Sequence, residues 1–256
     1  MSLIHALTGE QSRFRRWTLY LLARYLEMPL LAAGYGLLRG RFRRLGHAWP
    51  IRAAMAWGVA APVGALGDTA RPLPAPAVLR LIDALEGPIA VGPCRCRSAH
   101  HGCDHPLETD IVIRTGVAAW LRAFPHDYRP ITKEEAKAIV DDCRQRGMWQ
   151  MVFVHCPVNQ ENEYVICNCC TCGCVPYIIN RELGQRAYPL LRGAYAAHTD
   201  PARCTGHGGC VDACPFGVRT LEGGKIHLAE PCFGCGMCVA ACPEGAITMQ
   251  PSPGSE

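Results

Sequence analysis

Near its C-terminus the chain repeats its cysteines at an offset of 28 residues. Cys204, Cys210 and Cys214 recur as Cys232, Cys238 and Cys242, and Pro215 or Pro243 follows the last cysteine of each set. His207 stands where the second copy has Cys235. Thiols at such short fixed intervals constrain the backbone strongly, because packed free cysteines are usually scattered rather than clustered.

The second copy reads Cys232-Phe-Gly-Cys235-Gly-Met-Cys238-Val-Ala-Ala-Cys242-Pro243. This is the C-x2-C-x2-C-x3-C-P run, in which three thiolates surround one iron–sulfur cluster and the fourth serves another. Gly234 and Gly236 let the backbone turn tightly between ligands. Over about residues 198 to 250 the chain resembles the bacterial-type two-cluster ferredoxins. That resemblance implies two [4Fe-4S] clusters in a pseudo-twofold β-α-β repeat whose ligands cross over between copies. On this chain it pairs Cys232, Cys235 and Cys238 with Cys214 on one cluster, and assigns Cys204, Cys210 and Cys242 to the other. The fourth corner of the latter faces His207. Three outcomes are open there. An imidazole ligand would replace an anionic thiolate by a neutral group and raise the reduction potential, as in Rieske centres. Without it the cluster could persist as [3Fe-4S]. In the third, His207 only caps the Gly-rich loop 205–209 and touches no metal.

The 256 residues hold 17 cysteines, an odd total that includes the adjacent pair Cys169 and Cys170. That argues against a disulfide framework and for metal ligation in a reducing compartment. An apolar content of 49% suffices for packed cores. The net charge of +4 is uneven, since residues 1 to 52 carry nine arginines against only Glu10 and Glu27. Such an arm suits an anionic membrane surface or an acidic partner. No base-reading motif accompanies it, so nucleic acid is not an expected partner.

Between Trp17 and Leu38 lies a mostly apolar run, with Arg13, Arg15 and Arg16 before it and Arg39, Arg41, Arg43 and Arg44 after it. Its length nearly suits a bilayer. Arg24 and Glu27 fall inside it, each costing roughly 2 to 3 kcal/mol near a membrane centre, and Pro29 is expected to interrupt the helix. Two readings stay open: a helix at the membrane interface or on a membrane partner, and a surface helix whose stripe joins this protein's own core. Arg15-Arg16 has the form of a twin-arginine export signal, but the charged interior and the lack of a clear cleavage site argue for the cytoplasm, peripheral on the inner face of the membrane.

Pro72-Leu73-Pro74-Ala75-Pro76 reads as a stiff linker. A short helix is expected from about Val78 to Glu86, and Thr132-Lys133-Glu134-Glu135 has the form of a capping box opening a helix that stops at Gly147. Trp149 to Val154 and Tyr164 to Ile166 read as strands. Gly223-Gly224 suits a hairpin turn between the two cysteine copies. The expected fold class is α+β. A basic, mostly helical region (1–70) precedes a cysteine-rich mixed α/β domain (77–197) and the ferredoxin-like domain (198–250).

Upstream stand Cys94, Cys96 and Cys103, then Cys156, then Cys167, Cys169, Cys170, Cys172 and Cys174, while Cys143 reads as a helix residue. In extended segments, residues i and i+2 face one way, so Cys94 with Cys96 and Cys167 with Cys169 can each present two thiolates. Gly173 is expected to free the backbone to curl Cys170, Cys172 and Cys174 toward the same or a neighbouring centre. The pairing of Gly-Pro-Cys94-Arg-Cys96-Arg with Ile-Cys167-Asn-Cys169-Cys170 resembles uncharacterised ferredoxin-domain proteins of bacterial redox systems, and implies no substrate. An additional iron–sulfur cluster is the expected occupant. Zinc is the alternative, because His100, His101 and His105 surround Cys103.

The leading function is therefore an iron–sulfur electron-transfer protein or subunit serving a partner redox enzyme. That partner could be a membrane-associated complex docked through Arg-rich residues 13–52. The alternatives are a reductase with a catalytic iron–sulfur site at the upstream cysteines, and a metal-binding assembly factor with a structural zinc. No nucleotide fingerprint and no set of nucleophile, histidine and carboxylate is evident.

Overall fold

A computed structural model describes residues 21–66, 69–154, 164–229 and 231–252. Arg13, Arg15, Arg16, Trp17 and Cys156 lie outside the described residues. The centre is a six-stranded sheet in which every neighbouring pair is antiparallel. Its order is β1 (Thr69–Leu73), β5 (Trp149–Val154), β6 (Tyr164–Cys169), β3 (Glu108–Ile113), β2 (Ile89–Pro93) and β4 (Arg129–Ile131).

Strand alternation sorts the side chains onto two faces. Ile111, Ile113, Val152 and Ile166 meet Val78 and Ile82 of the helix Ala75–Ala84, and Ala136 and Val140 of the helix Lys133–Gln145. Val112, Met151, Val165 and Cys169 turn the other way, toward Val117, Phe124 and the helix Val175–Leu183. Both faces are covered, which is why the residues of β2 and β3 are buried almost without a break.

Several expectations meet the structure directly. Thr132 Oγ1 accepts from the Glu135 amide at 3.2 Å. The Glu135 carboxylate goes instead to Arg129 at 2.7 Å, so only half of the capping box forms. Residues 72–76 are not a linker. Pro72 lies in the edge strand β1 opposite Met151, where a missing amide hydrogen is tolerated. Pro76 sits in the first turn of the helix Ala75–Ala84, where that hydrogen would have no helical acceptor. This helix therefore starts and ends earlier than the expected 78 to 86.

Pro29 does not interrupt its helix either. It falls in the first turn of Glu27–Leu38, directly after a π-helical turn at Leu22–Leu26. Leu31, Tyr35 and Leu38 of that helix pack into this protein's own core, and Glu27 pairs with Arg95 at 3.1 Å. The described part of the 17–38 run is thus a helix docked on its own chain. Among the described residues, no helix is long and apolar enough to cross a membrane. The helix Trp49–Leu66 packs Met55, Ala56 and Val59 inward, while Trp49 and Trp57 remain 81% and 79% exposed.

The C-terminal part has two antiparallel pairs: β7 (Tyr195–Thr199) with β10 (Ile247–Pro251), and β8 (Arg219–Glu222) with β9 (Lys225–Leu228). Gly223 and Gly224 link β8 to β9 with φ of +56° and +74°, as a two-residue type I′ turn requires. Short helices, Gly209–Asp212 and Met237–Ala240, occur within the two cysteine runs. Phe216 and Phe233 stack at 4.4 Å and continue onto Trp149 (5.8 Å from Phe216) and Tyr177 (6.0 Å), so the apolar core runs without a break from the large sheet into this part.

Candidate metal centres

In the C-terminal part, Cys235 and Cys238 each lie within electrostatic reach of both Cys214 and Cys232. Burial pushes the Cys235 thiol well above its ordinary value and the Cys238 thiol to about 11. Buried thiols in this state keep their protons unless a metal replaces them. Gly234 has φ +84°, and a Cβ there would stand 2.3 Å from the Tyr195 carbonyl, so the loop closes this tightly only with glycine. Its amide donates to Cys232 Sγ at 3.3 Å, as the Ala246 amide does to Cys242 Sγ. Cys210 and Cys242 pack in one apolar cluster with Cys238, and Arg219 Nη1 reaches Cys210 Sγ at 3.8 Å. Cys204 is half-buried at the start of its loop.

His207 lies on that loop with Nδ1 3.4 Å from Glu244 Oε2. Glu244 also accepts from Thr205 Oγ1 at 2.8 Å. This hydrogen bond above all, with the backbone bond and the nearby imidazole, holds the Glu244 carboxyl below the usual range. The other ring nitrogen, Nε2, points at Gly209, where a Cβ would approach it to 2.8 Å. A carboxylate on one histidine nitrogen is the usual arrangement when the other ligates a metal.

The eight upstream candidates fall into two groups of neighbouring side chains. Cys94, Cys96, Cys167, Cys169 and Cys174 form one group of interacting thiols, running from Cys94 through Cys96, Cys174 and Cys169 to Cys167. Cys174 is at its centre. The neighbouring Cys169 and then Cys96 hold its thiol below the ordinary value. Cys167 and Cys169 share a sheet face, as alternation requires. Cys94 and Cys96 are not extended: Cys94 caps the helix Arg95–His100 and Cys96 lies in its first turn, because Pro93 ends β2.

Cys103, Cys170 and Cys172 form the second group, joined by His105. The turn at 171–173 sends Cys170 and Cys172 one way and Cys174 the other. Gly173 contributes there by its size rather than by an unusual backbone angle, since a Cβ would stand 3.2 Å from Cys103 Sγ and 2.9 Å from Arg97 Cγ. His100 has other partners: its ring stacks on Tyr35 at 3.6 Å, Nε2 is 3.0 Å from the Gly173 carbonyl, and Nδ1 accepts from the Gly102 amide. Cys143 is a helix residue, as expected, and burial pushes its thiol up to about 12.

Three further residues belong to the site. Asp110, only 4% exposed, accepts from Cys167 Sγ at 3.2 Å and from the Tyr128 hydroxyl at 2.6 Å. Its inward position follows from alternation with Val112 on β3, and that was the signal available in the sequence. Arg97, 1% exposed, donates to the Pro106 and Asn168 carbonyls, to Thr109 Oγ1 and toward Cys170 Sγ at 3.9 Å. Burial opposes its charge, and the neighbouring Cys94, Cys170 and Cys169 outweigh that effect. Tyr177, in the first turn of the helix that Cys174 precedes, gives its hydroxyl to the Pro215 carbonyl, beside Cys214.

The five-thiol group fits an iron–sulfur cluster by its donor chemistry. Trp149, opposite Cys169 in the ladder, also has a buried indole N–H with no hydrogen-bond partner among the described residues. Residues 203–247 match the family described as 4Fe-4S dicluster domain, under a fifth of the chain. No curated protein and no solved structure matches the chain. The C-terminal part is a 4Fe-4S ferredoxin-type domain, and the chemistry it brings is iron–sulfur electron transfer.

Proposed function

We propose that this protein passes single electrons between a bacterial-type pair of [4Fe-4S] sites and a third iron–sulfur site at Cys94, Cys96, Cys167, Cys169 and Cys174. Cys214, Cys232, Cys235 and Cys238 would hold one of the pair. Cys204, Cys210, Cys242 and His207 would hold the other, with His207 fixed by Glu244 and binding through Nε2. When bound, such clusters supply reversible one-electron storage. The observation that carries the reading is Tyr177, which lies in the first turn of the helix that Cys174 precedes and reaches the Pro215 carbonyl beside Cys214, within the aromatic group of Trp149, Phe216 and Phe233. This side chain ties the upstream thiols to the ferredoxin-type domain through one packed contact. Arg97 keeps a positive charge next to Cys94 and Cys169, which offsets the negative charge of a thiolate-bound site.

The redox partner docks through the Arg-rich segment 13–52, on the cytoplasmic face of a membrane. Arg41, Arg43, Arg44 and His47 line a concave surface, and the adjoining Trp49 and Trp57 are open to contact. Basic residues flanking exposed aromatic rings suit an acidic partner at a membrane interface. The reductase reading has one observation in its favour: the Tyr128 hydroxyl donates to the buried Asp110 carboxylate beside Cys167, and that pair could pass the hydroxyl proton to a substrate at that site.

Iron and acid-labile sulfide counted on anaerobically purified protein, with EPR of the reduced form, test the proposal. About twelve irons and magnetic interaction between centres are expected. Colourless protein without labile sulfide would sink it, and about eight irons would remove the third site.

A further inference from the structure

Cys103 and His105 lie in the loop between the helix Arg95–His100 and β3, and Cys170 and Cys172 lie in the turn after β6. Their four ligand atoms all lie within 4.8 Å of one another, the one such gathering of three or more metal-ligating groups among the described residues. The sulfur separations are 2.7 Å for Cys103 to Cys172, 3.3 Å for Cys170 to Cys172 and 3.5 Å for Cys103 to Cys170.

These distances decide what the group can hold. Zinc–sulfur bonds of about 2.3 Å in a tetrahedron place sulfurs about 3.8 Å apart. Two of the three edges are already within about 0.5 Å of that value and the third within about 1.1 Å. A cubane attaches each thiolate to a different iron and spreads the sulfurs over a wider frame, so this group is too tight for one. Three sulfurs and one imidazole form the closed Cys3His set of structural zinc, with no position left for substrate.

We infer that Cys103, His105, Cys170 and Cys172 bind a single structural zinc ion, separate from the iron–sulfur sites. Three thiolates around Zn2+ leave a net charge of −1, and Arg97 offsets it from 3.9 Å at Cys170. The ion joins the two segments that carry the buried thiols. Cys94 and Cys96 come just before the 101–107 loop, and Cys169 and Cys174 bracket the Cys170 to Cys172 turn. Its role is to hold these halves of the five-thiol group in register. The inference stands whether or not that group holds a cluster.

X-ray absorption at the zinc edge, on full-length protein purified anaerobically with iron and zinc supplied, tests it. One zinc per chain is expected, with three sulfurs at about 2.3 Å and one nitrogen at about 2.0 to 2.1 Å. Cys172→Ser, at an exposed position, and His105→Ala should each lower zinc content at least about tenfold while the irons of the ferredoxin-type domain remain. His101→Asn, at an exposed position outside the four-ligand group, should leave zinc unchanged. Iron-loaded protein without zinc, a shell of four sulfurs, or full zinc retention in Cys172→Ser would overturn the inference. Should a variant fail to fold, the wild-type spectrum decides alone. Zinc without labile sulfide would refute only the electron-transfer reading, and iron without zinc only this one.

Discussion

Cys169 and Cys170 are neighbours in the chain, yet their thiols serve different buried clusters: Cys169 packs with Trp149 and Cys174, Cys170 with Met148, Cys143 and Cys103. One peptide step thus divides the two thiol groups. Cys169→Ser should remove about four irons and spare zinc, and Cys170→Ser should remove zinc and spare the ferredoxin-type irons. Metal analysis of the two variants side by side checks this, and equal losses of both metals from each would count against two centres.

Arg97 is a buried fork that satisfies carbonyls on both segments. Arg97→Met leaves those acceptors unpaired and should destabilise the fold by about 3 kcal/mol or more. Arg97→Lys keeps the charge and loses the planar fork, so it should recover only part. Denaturant unfolding under anaerobic conditions measures both.

On the proposed ligation, His207→Cys exchanges a neutral ligand for a thiolate. The affected cluster should fall in potential by on the order of 100 mV, with Glu244→Gln producing a smaller shift in the same cluster. EPR-monitored redox titration reads both. An unaltered spectrum and iron count in His207→Cys would exclude the imidazole from the metal.

At Gly234 an added methyl meets the Tyr195 carbonyl, whereas at Gly223 it meets open space, and both have positive φ. Gly223→Ala should cost about 1 kcal/mol from the backbone alone and Gly234→Ala at least about 2 kcal/mol more. Chemical denaturation followed by cluster absorbance separates them, and equal costs would mean that the contact does not matter.

Cys143 should resist alkylation at pH 8, because burial keeps its thiol protonated until about 12, above the ordinary 9.0. A raised folded-state pKa favours the protonated fold. Its contribution to stability is complete below pH 9.0 and is lost as the pH climbs toward about 12. Cys143→Ala should flatten the alkaline fall in melting temperature, measured alongside mass-spectrometric alkylation.

The C-terminal cysteine loops, the Thr132 cap and the Gly223-Gly224 turn were legible because each rests on contacts within a few residues of sequence. The strands from Trp149 and Tyr164 were legible by composition. The partition of the upstream cysteines was not, since it depends on which sheet face β6 presents and on a loop some seventy residues earlier meeting the turn after it. Proline misled three times for a related reason: whether Pro72 breaks a strand depends on its lying at a sheet edge, and Pro76 and Pro29 are harmless only because each falls in the first turn of its helix. Asp110 was not legible because an acid beside Glu108 and Thr109 at the start of a strand acquires meaning only next to Cys167.

The stacked rings of Phe216 and Phe233 against Trp149 and Tyr177 limit how the molecule can be dissected. Scission near Gly193 would uncap a greasy aromatic surface on both fragments and invite clumping. Any graft of the tail onto another scaffold must therefore bring a replacement for the indole and phenol it leaves behind.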